Sequence, residues 1–142
     1  MKVISINVNG IRAAVRKGLF DWLKKQKADV ICLQETKAQM EVLGKENFEL
    51  PGYHHYFNDA EKKGYSGVGI YSLRIPDKIV MDLGWAHADK EGRYMQANFN
   101  RLSIASLYMP SGSSADVRQQ IKFDFLEKYY KILKNMLQFF VE

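Results

Sequence analysis

Cysteine is almost missing from this sequence, and its single copy, Cys32, rules out an intrachain disulfide or a cysteine zinc cluster. It stands inside an apolar run and reads as a small core residue of a protein kept in a reducing compartment. Histidine is scarce too. His54 and His55 are adjacent, so on a strand they point to opposite sides, and His87 is expected in a polar loop. None has metal-ligand or triad spacing, and no serine or cysteine looks like an activated nucleophile. Long hydrophobic runs are also lacking. The apolar "VISI" after Met1-Lys2 breaks at Asn7, too soon for a signal-peptide core, and nothing approaches a membrane span. No membrane role and a cytoplasmic location are therefore expected. Internal repeats, linkers and low-complexity segments are absent as well.

What is present suits one globular domain. The 142 residues are 46% hydrophobic and 13% aromatic, enough for a core and too few for two domains. The net charge of +5 is unevenly spread. Arg12, Arg16, Lys17, Lys24, Lys25 and Lys27 are opposed in their segment only by Asp21. Such a cluster suits a polyanion such as DNA or RNA, or alternatively is a solvated helix face.

Helical and strand signals alternate along the chain. "KVISINVN" puts Ile4, Ile6 and Val8 on one face at period two, with Val3 and Ser5 opposite. A helical stripe of Ile11, Ala14 and Val15 follows, is interrupted at Gly18, and resumes with Leu19, Trp22 and Leu23. "DVICLQ" is apolar on both faces, as an interior strand covered on both sides would be. Strand, helix and strand in this space predict a βαβ unit with parallel strands. Parallel strands end on one sheet edge, where open α/β sheets bind ligands, so Asn7 and Glu35 should be neighbours there. An amide and a carboxylate at one rim suit a hard cation such as Mg²⁺. The alternative is a polar strand end and a turn former.

The middle is less regular. "LPGYHHYF" turns at Pro51-Gly52 into a strand, and "KKGYSGVGIYS" is a glycine-punctuated loop leading into strand residues Val68 to Tyr71. "GRYMQANF" and "RLSIASLYMP" form adjacent strands joined near Asn100-Arg101, the second stopped by Pro110. Ser113 and Asp116 then have capping-box spacing. Val117, Ile121, Phe125, Tyr129, Leu133 and Leu137 continue as an i+4 ladder, one face of a packed helix.

The segments "ISINVNGIRAA", "ADVICLQETKA", "KKGYSGVGIYS", "EGRYMQANF" and "SLYMPSGSS", in this order, resemble the exonuclease III and AP endonuclease family of DNA-repair nucleases, within the endonuclease/exonuclease/phosphatase superfamily. The resemblance implies a Mg²⁺-dependent phosphodiesterase, with Mn²⁺ as a substitute ion, acting on double-stranded DNA at abasic sites and 3′ ends. It implies that Glu35 and Asn7 serve the metal and that Tyr108 is catalytic. Arg12, Lys37, Tyr65, Ser66, Gly67, Arg93 and Ser111 would then lie near the DNA backbone. The implied fold is a four-layer α/β sandwich, a mixed sheet with flanking helices.

The family's later "GDWN"-like and "SDH"-like segments, which carry a water-activating aspartate and a catalytic histidine, have no counterpart here. Residues 1–142 are thus expected to be a single incomplete domain, the N-terminal half of the sandwich and a catalytically incomplete, truncated form. A non-catalytic DNA-binding remnant, or one half of a split nuclease with a separate C-terminal half, is the alternative. A half-sandwich would expose a sheet face open to self-association.

Overall fold

The structure, a computed structural model, describes residues 1–44, 48–112 and 116–138. It divides into two units, Met1–Tyr108 and Met109–Glu142. In the first unit, β1 (Val3–Asn7) leads through α1 (Ile11–Arg16) and α2 (Leu19–Gln26) to β2 (Val30–Gln34). After α3 (Met40–Leu43) come β3 (His54–Asn58), β4 (Val68–Ser72) and β5 (Lys78–Val80). Then α4 (Ala86–Lys90), β6 (Tyr94–Phe99) and β7 (Leu102–Leu107) complete it. The second unit holds α5 (Asp116–Gln138).

The strands form two sheets, ordered β1-β2-β4-β3 and β5-β6-β7. The predicted βαβ unit is present: β1 and β2 run parallel, with Val3 opposite Val30 and Asn7 opposite Gln34. β4 then joins β2 antiparallel, and β3 joins β4 antiparallel, so the larger sheet is mixed. The smaller sheet is antiparallel throughout.

Alternation along β2 explains the layering. Ile31 and Leu33 point to one side, where they pack with Ile11, Phe20 and Leu23 of the two helices and with Tyr71. Val30 and Cys32 point the other way, against Val68, Ile70, Met95 and Ala97 between the sheets. β2 is buried at every position, as its continuous apolar run requires. Ile4, Ile6 and Val8 lie against the helix-side core, while Val3 and Ser5 are exposed. Burial pushes the Cys32 thiol up to about 11, in keeping with an inert core residue.

Gly18 divides the helical stretch because it adopts φ 91, a left-handed conformation that lets α2 start in a new direction. The core aromatics interlock: the Tyr71 ring meets Phe20 and Phe57 edge-on at 5.8 and 5.7 Å, and its hydroxyl donates to the Phe48 carbonyl at 2.6 Å. Buried polar groups tie the two sheets. Gln34 Nε2 donates to Ser106 Oγ at 3.1 Å, and Ser106 Oγ donates to the Leu33 carbonyl at 2.8 Å. Asn58 Nδ2 donates to the carbonyls of Tyr94 and Met81, both at 2.8 Å.

Three elements carried no sequence signal: α3, α4 (which contains His87) and β5. In the second unit, α5 has Phe125 buried and Ile121 and Tyr129 partly covered, while Val117 and Leu133 of the ladder are exposed. The Ser113 half of the expected cap lies outside the described residues. No helix among the described residues is long and apolar enough to cross a membrane.

Close backbone approach makes one glycine critical. Gly92 has φ 55, and a Cβ there would come within 2.5 Å of the Asp59 carbonyl oxygen and 2.7 Å of that of Asn58. Neither backbone atom can rotate away. Gly92→Ala should therefore cost more than about 1 kcal/mol in urea unfolding, whereas Gly44→Ala, with ordinary φ and no close contact, should be near neutral. Equal midpoints for both variants would contradict the packing described.

Candidate active site

The rim at the C-terminal ends of β1 and β2 is built by backbone pairing among three loops. Val8 N–H donates to Gln34 O at 2.9 Å, Gly10 N–H to Glu35 O at 2.7 Å and Ile11 N–H to Thr36 O at 2.9 Å. From the other side, Thr36 N–H donates to Gly67 O at 3.1 Å and Lys37 N–H to Ser66 O at 2.9 Å. The segment Glu35–Thr36–Lys37 is thus held along both edges. Glu35 and Lys37 have φ 55 and 50, and the neighbouring Asn9 and Ser66 have φ 45 and 48. Left-handed backbone costs a non-glycine residue roughly 1–2 kcal/mol, so the pairing on both edges is what sustains it.

Side chains close a ring over this backbone. Asn9 N–H donates to Asn7 Oδ1 at 3.0 Å, which leaves Asn7 Nδ2 to donate to Glu35 Oε1 at 2.7 Å. Lys37 Nζ lies 3.0 Å from Glu35 Oε2 and donates to Asn9 Oδ1 at 2.5 Å. Tyr108 stands near enough to Glu35 for the phenol and the carboxylate to shift each other's protonation. Asn7 and Glu35 therefore meet as the βαβ geometry predicts, but the amide nitrogen of Asn7, not its oxygen, faces the carboxylate.

These contacts set the charge states. Burial alone pulls the Glu35 carboxyl upward, but hydrogen bonds from Asn7, Lys37 and Tyr108, with the Lys37 charge, outweigh it and leave it below the ordinary carboxylate range. Tyr108 moves the opposite way. Burial, its hydrogen bond to Glu35 and the nearby carboxylate charge push its phenol up to about 12, so it stays protonated and donates.

Arg93 extends the cluster. It is 4% exposed, and its Nε donates to Glu91 Oε2 at 2.5 Å. Nη1 donates to the Tyr108 carbonyl at 3.1 Å and Nη2 to the Tyr65 hydroxyl at 2.9 Å. The remaining expected site residues are placed differently. Ser66 and Gly67 are buried, and a Cβ on Gly67 would sit 2.3 Å from Thr36 Oγ1. Arg12 is exposed on α1, as are Arg16, Lys17, Lys24, Lys25 and Lys27 along the same segment. Ser111 is exposed in the second unit. A cleft of about 570 Å³ lies at the other end of the sandwich, lined by Asp29, Arg74, Phe99 and Arg101, and holds none of these residues.

A sequence profile described as "Endonuclease/Exonuclease/phosphatase family" matches residues 4–135, nearly the whole chain. The chain belongs to the endonuclease/exonuclease/phosphatase family. It is 42% identical over 112 residues to the exodeoxyribonuclease of Bacillus subtilis, covering 78% of this chain and 43% of that protein. Against the DNA repair nuclease APEX1 of Danio rerio it is 37% identical over 120 residues, covering 83% of this chain and 39% of the relative. The solved AP endonuclease of Archaeoglobus fulgidus superimposes with a TM-score of 0.82 at 31% identity, over 95% of this chain and 52% of that one. The chain thus spans less than half the length of these curated relatives and about half of the structural one.

Sequence reasoning missed Asn9, Glu91 and Thr36 at this family rim. The Asn-Gly dipeptide at Asn9-Gly10 signalled a turn, but nothing local shows that Asn9 reaches Lys37. Because Glu35 titrates lower folded than unfolded, its contacts stabilise the fold above the ordinary carboxylate range, and that contribution fades as pH falls through the lowered value. Lys37→Met removes one hydrogen bond and the neighbouring charge, so the Glu35 carboxyl should titrate higher by ¹³C NMR. An unmoved titration would mean that Lys37 does not control this carboxylate.

Proposed function

We propose that this chain is the N-terminal half of a Mg²⁺-dependent DNA phosphodiesterase of base-excision repair, of the exodeoxyribonuclease III type. Its substrates would be abasic sites and 3′ ends in duplex DNA. The observation that carries this reading is the Glu35 carboxylate, kept ionised at a strand rim by Asn7, Lys37 and Tyr108. Family membership and the printed names of the nuclease relatives support it.

The donor set fits magnesium. No group of three or more His, Cys, Asp or Glu side chains among the described residues could form an all-protein cage. Mg²⁺ does not need one: it keeps several waters and takes one or two carboxylates together with substrate phosphates. Glu35 would hold the ion, with Asn7 steadying Glu35, and Mn²⁺ accepts the same oxygens. When bound, the ion supplies positive charge against the phosphoryl oxygens of the substrate.

The chain's own residues do the rest of what this half contributes. Tyr108 holds its proton and donates it in a hydrogen bond to Glu35. Lys37 places an ammonium 3.0 Å from the same carboxylate, within the region a phosphate would approach. The exposed cations from Arg12 to Lys27 offer a surface for the DNA backbone.

Open strand edges offer a place for the rest of the family fold to join. β1 and β7 are edge strands that pair on one side only among the described residues, and such edges accept further strands. The test is gel-based incision of a synthetic abasic duplex in Mg²⁺. The chain alone should not cut. Mixed with a polypeptide carrying the remaining half of the Bacillus subtilis exodeoxyribonuclease, it should cut weakly, and Glu35→Ala should abolish that cutting. Robust incision by the chain alone would refute catalytic incompleteness. Salt-sensitive duplex binding without incision in either arm would favour a DNA-binding remnant.

A further inference from the structure

Arg93 is placed to do something other than face a ligand. It stands just before β6, and its guanidinium is enclosed by groups of the protein. Its Cζ lies 4.9 Å from the Tyr108 ring centroid and 5.7 Å from that of Tyr65. The Tyr108 carbonyl accepts from Nη1, and Tyr108 N–H in turn donates to the Arg93 carbonyl at 2.8 Å. Glu91 Oε2 accepts from Nε at 2.5 Å and balances the charge, so the side chain can be nearly buried without an unpaired ion.

We propose that Arg93 is a positioning residue, whose guanidinium clamps the ring and main chain of Tyr108 so that the phenol is held on Glu35, and ties Tyr65 into the same frame. The planar fork is what this requires, because three acceptors in different directions are met by one rigid group that also stacks on a ring. A lysine supplies the charge but neither the plane nor the fork. The proposal rests on the nuclease reading for its functional meaning, since Tyr108 and Glu35 are the groups that reading uses.

Two measurements on the chain itself decide it without turnover. With ¹³C-labelled tyrosine, the unsubstituted chain should show an NOE between the Tyr108 ring and the Glu35 side chain. Arg93→Met should shift the Tyr108 resonances and remove that NOE while Tyr71 resonances stay in place. Arg93→Lys, which keeps the charge and the aliphatic stem, should do the same, and it serves if the methionine variant folds poorly. An NOE retained in both variants would overturn the proposal. The second measurement is the salt dependence of binding to a fluorescent duplex. A buried positioning residue predicts the same slope for Arg93→Met as for the unsubstituted chain. A slope shallower by roughly 0.9, the value of one lost phosphate contact, would show that Arg93 grips the backbone itself. If the unsubstituted chain fails to bind duplex, the nuclease reading suffers, yet the tyrosine resonances still decide the role of Arg93.

Discussion

A left-handed turn at Glu35–Thr36–Lys37, paired along both edges, holds the rim together. No glycine relieves it, so the strain is met by hydrogen bonds from Gly10 and Ile11 on one side and to Ser66 and Gly67 on the other. The turn places Glu35 just past the end of β2, opposite Asn7, and aims Lys37 back across it. Thr36 is buried between the flanking loops, and neither its Oγ1 nor Ser66 Oγ has a hydrogen-bond partner among the described residues. Gly67 suits this place twice over: its φ of 85 is left-handed, and a Cβ there would lie 2.3 Å from Thr36 Oγ1.

From that turn the electrostatics follow. A carboxylate with donors from an amide, an ammonium and a phenol stays ionised although partly buried, and the phenol stays protonated first because it is buried and then because the carboxylate is beside it. Arg93, nearly buried and paired with the partly exposed Glu91, adds a second ion pair that holds the ring and main chain of Tyr108. The smaller sheet contributes to the site chiefly through this pair of residues, Arg93 entering β6 and Tyr108 leaving β7.

Much of this was legible in the residues. The continuous apolar run of β2 gave a strand covered on both faces, Gly18 marked the break between α1 and α2, and parallel pairing brought Asn7 to Glu35. The short elements were not legible, because tertiary contacts rather than propensity hold them. Asp59 accepts from the first N–H of α3 at 2.9 Å, and Asp89 within α4 accepts from Leu83 N–H at 2.8 Å. The positive φ of Glu35, Lys37 and Ser66 was equally hidden, since none is a residue type that announces it. Tyr108 could be joined to Glu35 only through resemblance, because its placement depends on how the two sheets face each other. The same resemblance put Ser66 and Gly67 near DNA, and the structure places both in the buried support of the turn.

The most direct measurement is a Mn²⁺ titration of the chain followed by electron paramagnetic resonance, with Mg²⁺ as competitor. If Glu35 is held ionised at this rim to carry a divalent ion, the unsubstituted chain binds Mn²⁺ at one site. Mg²⁺ displaces it, and Glu35→Ala loses the site while circular dichroism shows the fold intact. Equal Mn²⁺ binding by the folded Glu35→Ala variant would contradict the account, because the carboxylate around which the rim is built would then not be the ligand.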